Sequence, residues 1–551
     1  MSRAEPPLPS PSSSPPQASP SAPAGPSGPP ASPPAPDAQA ATVRAAGRGG
    51  LAIAVAKVSF ILFGFVQQLL LPWLLGVDGY GALSIVLADV SVVNNVVVAT
   101  GIQGVSRAVA SAPAGEVDVA FGRALRLHAL LAVVVAAGFF LAAPFIAAFV
   151  KAPHVVMPLQ VASGVVLLYG TYAPLVGGLN GKRRFVAQAG LDIGYGAIRL
   201  CAIAAGVVLF VRAGHSGVLG ATAGFVTAAA IIVPIALLVA GVGRVGRVEQ
   251  RAEAGSWMRE HLSFLLPLAI SQAFLNLLMQ TDLNLFRRLV GEAAGSLGMS
   301  SQAADTLTGA YRGMQLFSFL PYQLLMSVSF ILFPLLAQAK AGGDAEAVRR
   351  YTRTGVRIAM VLTGLLCAPI AGLGPHVLRM AFPVEIWSQG GEALRIHALG
   401  MGAFAILGIL CAALTSLRQE RWTAALTGAA AVCVAVGCLI AVPRAPFGPQ
   451  MLMHSAAATG AALLVAALAA AVLLRLVAGD VVAKGVPLRV VAAIALTVAL
   501  GTRLPWLGKL LVPVEAAGLG LVYLALLALF GELGRADLAT LKQAFGRRRK
   551  A

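Results

Sequence analysis

The sequence predicts an all-α, polytopic membrane protein of about fourteen transmembrane helices. Three observations predict it. The 551 residues are 58% hydrophobic and only 11% charged, against roughly 45–50% and about 25% in soluble domains. From Leu51 onward, apolar stretches recur, each near the ~20 residues that cross ~30 Å of hydrocarbon. Basic residues fall on alternate connections between them, as the positive-inside rule demands. A water-soluble enzyme is thereby excluded.

The spans are expected at 51–75, 80–106, 125–150, 155–181, 186–211, 216–242, 261–290, 306–338, 355–378, 392–417, 422–442, 453–478, 487–505 and 508–531. The last two are separated by a tight turn at Pro505–Lys509. Ahead of them lies a Pro/Ser/Ala-rich tail over 1–45, whose first 40 residues hold 14 of the 33 prolines. Such a segment cannot bury enough apolar surface to offset its ordering entropy, so disorder is expected. It has no apolar core of a signal peptide. A basic link over 244–259 (Arg244, Arg247, Arg251, Arg259) divides the first twelve spans into two sets of six, 46–243 and 244–480. Two additional helices occupy 481–534, and a basic cytoplasmic tail follows over 535–551. Aligning Gly76 with Gly291 pairs the Leu-Leu-Gly that ends span one with the Leu-Val-Gly that ends span seven, a repeat of the kind seen in transporters.

Lys and Arg total 41 against 22 Asp and Glu, a formal charge of +19. With the N-terminus inside, 29 of the basic residues fall on the cytoplasmic side and 8 outside, so both termini are expected in the cytoplasm and no nucleic-acid partner is implied. The five cysteines all lie in apolar stretches without CxxC or Cys/His spacing. No metal site, cofactor or disulfide scaffold is expected from them.

Ionisable groups in hydrocarbon cost several kcal/mol, so their placement carries information. At 100° per residue, Gln188, Asp192, Tyr195 and Arg199 share one face of span five, with Asp192 and Arg199 about 10 Å apart along the axis. Span eight carries Tyr311, Gln315, Ser318, Tyr322 and Ser329, flanked by Arg312. Span seven lines up Gln272, Asn276, Met279 and Gln280, with Asp282 toward the adjoining face. Lys57, Gly64 and Gln68 align in span one, and Asp89, Thr100 and Gln103 in span two, with Asn94 and Asn95 off that face. Interhelical hydrogen bonding is the plain explanation for single Gln, Asn or Ser residues. Five spans each presenting a polar stripe point instead to a shared water-filled cavity. No paired-carboxylate loop, phosphate-cradling Gly motif or Ser/His/Asp grouping indicates an enzyme.

Residues 57–109 carry Pro72, Leu75-Gly76, Gly79-Tyr80-Gly81 and a Gly101–Arg107 span end. Residues 261–291 read HLSFLLPLAISQAFLNLLMQTDLNLFRRLVG, followed by Gly309-Ala310-Tyr311-Arg312 and Leu332-Phe333-Pro334. Residues 175–200 read LVGGLNGKRRFVAQAGLDIGYGAIRL. Together these resemble the polysaccharide/oligosaccharide flippases, O-antigen-flippase-like, of the multidrug/oligosaccharidyl-lipid/polysaccharide exporter superfamily. The resemblance covers roughly residues 50–480. It implies two six-helix lobes around a central cavity that opens alternately to each side. It further implies transport of undecaprenyl-pyrophosphate-linked oligosaccharide across the bacterial cytoplasmic (inner) membrane, with polysaccharide polymerases as candidate partners. On this reading Lys57, Gln68, Arg199, Gln272, Asn276, Tyr311, Arg312 and Gln315 bind substrate. Asp89, Asp192 and Asp282 couple transport to a proton or sodium counter-ion. Alternatives in the same superfamily are lipid II flippases, whose front helices carry several arginines where span one here has only Lys57, and twelve-span multidrug/cation antiporters. A membrane glycan polymerase or ligase needs a large outer loop, and the longest here is about 291–305.

Overall fold

The computed structural model describes residues 36–113, 115–241 and 254–534. Residues 1–35, residues 242–253 of the basic link and the C-terminal residues 535–551 lie outside the described residues, and with them most of the expected disordered tail and the basic C-terminal tail. Residues up to Gly50 form a unit of their own, of which the described part, from Pro36, is helical.

The described chain is helical without a strand. Its helices are α1 (Pro36–Ala110), α2 (Val117–Phe149), α3 (Val156–Gly181), α4 (Phe185–Arg212), α5 (Gly217–Ala240), α6 (Ala254–Ser296), α7 (Ser301–Ser318), α8 (Leu320–Ala341), α9 (Ala345–Gly372), α10 (Gly374–Ala381), α11 (Val384–Ser416), α12 (Glu420–Ala441), α13 (Pro449–Ala478), α14 (Val486–Gly501) and α15 (Val512–Leu529). Among the described residues, 11 helices are long and apolar enough to cross a membrane. Each of the fourteen expected segments nevertheless falls on helix. α1 supplies two, α7 and α8 make one broken span, and α14 is a shorter apolar helix.

Gly76 explains how one helical run serves as two spans. It sits at φ 74° and ψ 167° inside α1, a region open essentially only to glycine. The Tyr80 hydroxyl donates to Gln68 Oε1 at 3.1 Å, although twelve residues of straight helix would separate them by about 18 Å. The chain therefore turns back on itself at Gly76. Gly291, its counterpart in the sequence repeat, stays inside the continuous helix α6. The repeat holds in the count of spans and not in this turn. The break between α7 and α8 falls at Phe319, two residues before Pro321, whose missing N–H cannot carry the helical ladder back to the Phe317 carbonyl.

In the first set, α2 packs on α3, and α3 and α4 pack on α5. In the second, α11 is the hub, against α7, α8, α9 and α13, while α12 joins α6 to α13. α14 and α15 pack on α9. Buried Glu532, just after α15, is held by Arg357 of α9 at 2.6 Å and by Arg489 of α14 at 3.3 Å, which fixes the added pair to the second lobe.

Candidate functional site

A cavity of about 320 Å³ lies where the two lobes meet. The first half of α1 contributes Phe60, Gly64 and Gln68, α4 contributes Arg199, α6 Gln280, and α7 Arg312, with Tyr322 and Gln323 from α8. Three residues predicted as substrate ligands, Gln68, Arg199 and Arg312, thus come together from both halves of the chain.

Arg199 is held by aromatic rings. Its guanidinium carbon lies 4.7 Å from the ring centre of Phe60, 5.7 Å from Tyr195 and 5.9 Å from Phe225. Tyr195 stacks on Phe60 and meets Tyr169 and Tyr172 edge-on or tilted. The missing side chain of Gly64 leaves room for the guanidinium, since a Cβ there would lie 3.3 Å from Nη2. Buried Nε of Arg199 finds no hydrogen-bond partner. Cation–π contact stabilises the charge but leaves its in-plane donors free. Arg312 faces the cavity from the other lobe and donates to Gln315 Oε1 at 3.1 Å. Among the described residues neither arginine has a carboxylate in ion-pair range.

Behind Arg312 the polar stripes of α6 and α7 close into a sealed network. Tyr311 Oη donates to Asp282 Oδ2 at 2.9 Å, Gln315 Nε2 reaches both carboxylate oxygens at 3.2 and 3.1 Å, and the Leu283 N–H donates to Oδ1 at 2.8 Å. His397 of α11 brings Nε2 to 3.4 Å from Oδ2, and its Nδ1 lies 2.7 Å from Ser318 Oγ. Ser455 of α13 donates to Tyr311 Oη at 3.3 Å. Tyr311 and Gln315 are 0% exposed, so the two predicted ligands face this network and not the cavity. Every oxygen of Asp282 is taken by a protein donor. Among the described residues no group of three His, Cys, Asp or Glu is placed to hold a metal.

The other predicted residues lie elsewhere. Asn276 accepts from Asn95 Nδ2 at 2.7 Å, and Asn276 Nδ2 donates to the Gln272 carbonyl. Asn284 donates to Asp89 Oδ1 at 2.7 Å. These pairs bind the second half of α1 to α6, so Asn276 and Asp89 are seam residues and Gln272 meets the seam through its backbone. Toward the basic end the seam continues with His128 3.4 Å from His261 and Arg107 over Phe264 at 4.4 Å. Asp192 lies beside Tyr172, within the field of Lys57, and Lys57 itself is exposed.

At the opposite end the lobes are locked by a group that periodicity did not reveal. Arg287, 0% exposed, donates to Asp305 Oδ1 and Ser301 Oγ, both at 2.9 Å. His154 of the first lobe reaches Asp305 Oδ2 at 3.0 Å. The backbones of α1 and α7 touch here: a Cβ on Gly81 would lie 1.8 Å from the Asp305 carbonyl, and one on Gly309 2.4 Å from that of Val77. In the sequence Arg287 reads as an ordinary outer-end charge. His397 carries no local signal either, because its partner is 115 residues away.

The model of a family described as polysaccharide biosynthesis protein matches residues 46–340, more than half of the chain. The chain belongs to the polysaccharide biosynthesis protein family. No curated protein sequence matches it. In fold, this polysaccharide biosynthesis protein is similar to the lipid II flippase MurJ in an inward-closed conformation, with a TM-score of 0.66 at 13% identity over 88% of this chain and 98% of that one. An inward-facing MATE-family multidrug resistance transporter aligns with a TM-score of 0.60 at 14% identity, covering 77% and 98% of the two chains. An outward-facing MATE structure aligns less well, at 0.54, over 77% and 96%. The polysaccharide biosynthesis protein therefore has the fold of a membrane transporter of the flippase type.

Proposed function

We propose that the protein flips an undecaprenyl-pyrophosphate-linked oligosaccharide from the cytoplasmic to the outer leaflet of the bacterial cytoplasmic membrane, for cell-surface polysaccharide assembly. One observation carries the reading: two arginines with no carboxylate partner among the described residues, one from each lobe, face a single cavity. A bare pyrophosphate in low dielectric is prohibitive. Guanidinium groups stay charged and fork onto phosphate oxygens. Gln68, Gln280 and Gln323 supply amide groups for sugar hydroxyls. The same cations oppose the cationic substrates of a drug antiporter. The positive-inside count supports cytoplasmic termini, which puts the Arg287–Asp305–His154 lock at the outer face and makes this an outward-closed state.

Ion coupling is assigned to the Asp282–His397 pair ahead of Asp89 and Asp192, and a proton fits it better than sodium because no oxygen of the Asp282 carboxylate is open. Ser318 lies within reach of two acceptors, His397 Nδ1 at 2.7 Å and the Gln315 carbonyl at 3.1 Å. With His397 neutral, Ser318 donates to Nδ1. With His397 protonated, Nδ1–H donates to Ser318, whose own proton turns to Gln315. Both states satisfy every hydrogen bond and differ by one proton. Gln315 links this site to Arg312, and so to the substrate cavity. The test is glycan export in a host lacking its own flippase: the wild-type chain restores export and Arg199→Ala/Arg312→Ala does not. Restoration of lipid II transport alone assigns the cavity to that substrate instead, and full export by the double variant contradicts the reading.

A further inference from the structure

A second cavity, of about 440 Å³, opens between α6 and α8, backed by α11 and α12. Its wall includes Met326, Phe333, Phe404, Leu407 and Ala412. Ser271 and Tyr322 also line it, but three of its hydroxyl residues are engaged elsewhere: Thr427 donates to the Thr423 carbonyl at 3.0 Å, Thr423 is bound to Thr415 and to the Cys411 carbonyl, and Ser329 points to the Leu325 carbonyl. What they offer the cavity is hydrocarbon. Tyr322 belongs to both this cavity and the arginine cavity. Its ring lies tilted at 34° to Phe404 with centres 4.5 Å apart, and a Cβ on Gly408 would press on it at 3.2 Å. One aromatic side chain is therefore shared by a cationic cavity and a mostly apolar slot.

A cationic site joined to an apolar slot is complementary to an amphiphile with phosphate at one end of a hydrocarbon chain. We propose that the slot holds the phosphate-proximal isoprenyl units of the lipid-linked substrate, so that the first part of the tail enters the second lobe and the remainder continues into the bilayer. At roughly 30 Å³ per carbon, taken as the share of a water molecule, the slot accommodates on the order of fifteen carbons, or three isoprenyl units. This inference rests on the pyrophosphate reading of the arginine cavity.

Dimethylallyl pyrophosphate and farnesyl pyrophosphate share a headgroup and differ in chain, so they separate the two ideas. With the full-length chain purified in neutral detergent, farnesyl pyrophosphate should bind at least about tenfold tighter than the shorter probe. Ala412→Leu/Thr423→Leu, which fills the slot, should remove that advantage and leave the affinity for dimethylallyl pyrophosphate as it was. Arg199→Ala/Arg312→Ala should weaken both probes. An undiminished farnesyl advantage in the filled variant overturns the slot while the anion reading stands. Unchanged binding of both probes to the arginine variant overturns the anion reading itself. Should the filled variant not fold, a photoreactive farnesyl pyrophosphate on the wild-type chain decides: labelling of buried Phe404 or Cys411 supports the slot, and labelling confined to exposed, lipid-facing side chains rejects it.

Discussion

Arg199 stands on a polar stripe of its span and Asp282 beside one, and neither position says what the side chain meets. Their surroundings do. Asp282 receives the Leu283 amide, the Tyr311 hydroxyl, the Gln315 amide and His397 within hydrogen-bonding reach. Arg199 lies against aromatic faces with a buried Nε that nothing accepts from. A buried polar group left without partners costs about 1–3 kcal/mol, more when charged. A saturated network holds a lobe together or stores a proton, whereas an unsaturated cation over an open cavity is kept for a ligand.

Stability measurements sharpen that contrast most. Asp282→Ala strands three side-chain donors and an amide, so it should lower stability by about 3–5 kcal/mol, read from thermal unfolding in detergent. Arg199→Ala, which loses only ring contacts, should cost about 1 kcal/mol or less. Equal losses would break the comparison. The order reverses for transport. Arg199→Ala should reduce substrate affinity by about 10- to 100-fold, the worth of one or two charge-assisted hydrogen bonds, and Arg199→Lys should keep part of it because charge survives without the fork.

Removing the lock at the opposite end has a narrower effect. Arg287→Ala frees Asp305 and should raise labelling of a cysteine placed at Thr308 from that side by about tenfold, with insertion unchanged. The smallest effect is expected at the seam. Asn95→Ala removes one neutral hydrogen bond to Asn276 and should cost about 1 kcal/mol.

Hydropathy and charge made the helical membrane spans legible in the sequence, and helical periodicity put Gln68 and Arg199 on polar stripes with Arg312 flanking a third. Helical periodicity identifies which residues share a face. It does not say which other helix that face meets. Tyr311 and Gln315 were therefore grouped with cavity ligands, although α11 and α13 close over them with His397 and Ser455. The lock at Arg287 escaped for a related reason: a basic residue near a span end reads as solvated until Asp305 and His154 are seen to enclose it. Gly76 carried its turn in the sequence, yet the matching Gly291 did not, since the φ that a glycine takes is set by its neighbours.

The most direct test of the central claim is equilibrium binding of undecaprenyl pyrophosphate to the purified chain, with undecaprenol as the uncharged control. The two-arginine cavity predicts binding of the pyrophosphate, little of the alcohol, and at least about a tenfold loss in Arg199→Ala/Arg312→Ala. Equal affinity for alcohol and pyrophosphate, or wild-type affinity in a well-folded double variant, would contradict it.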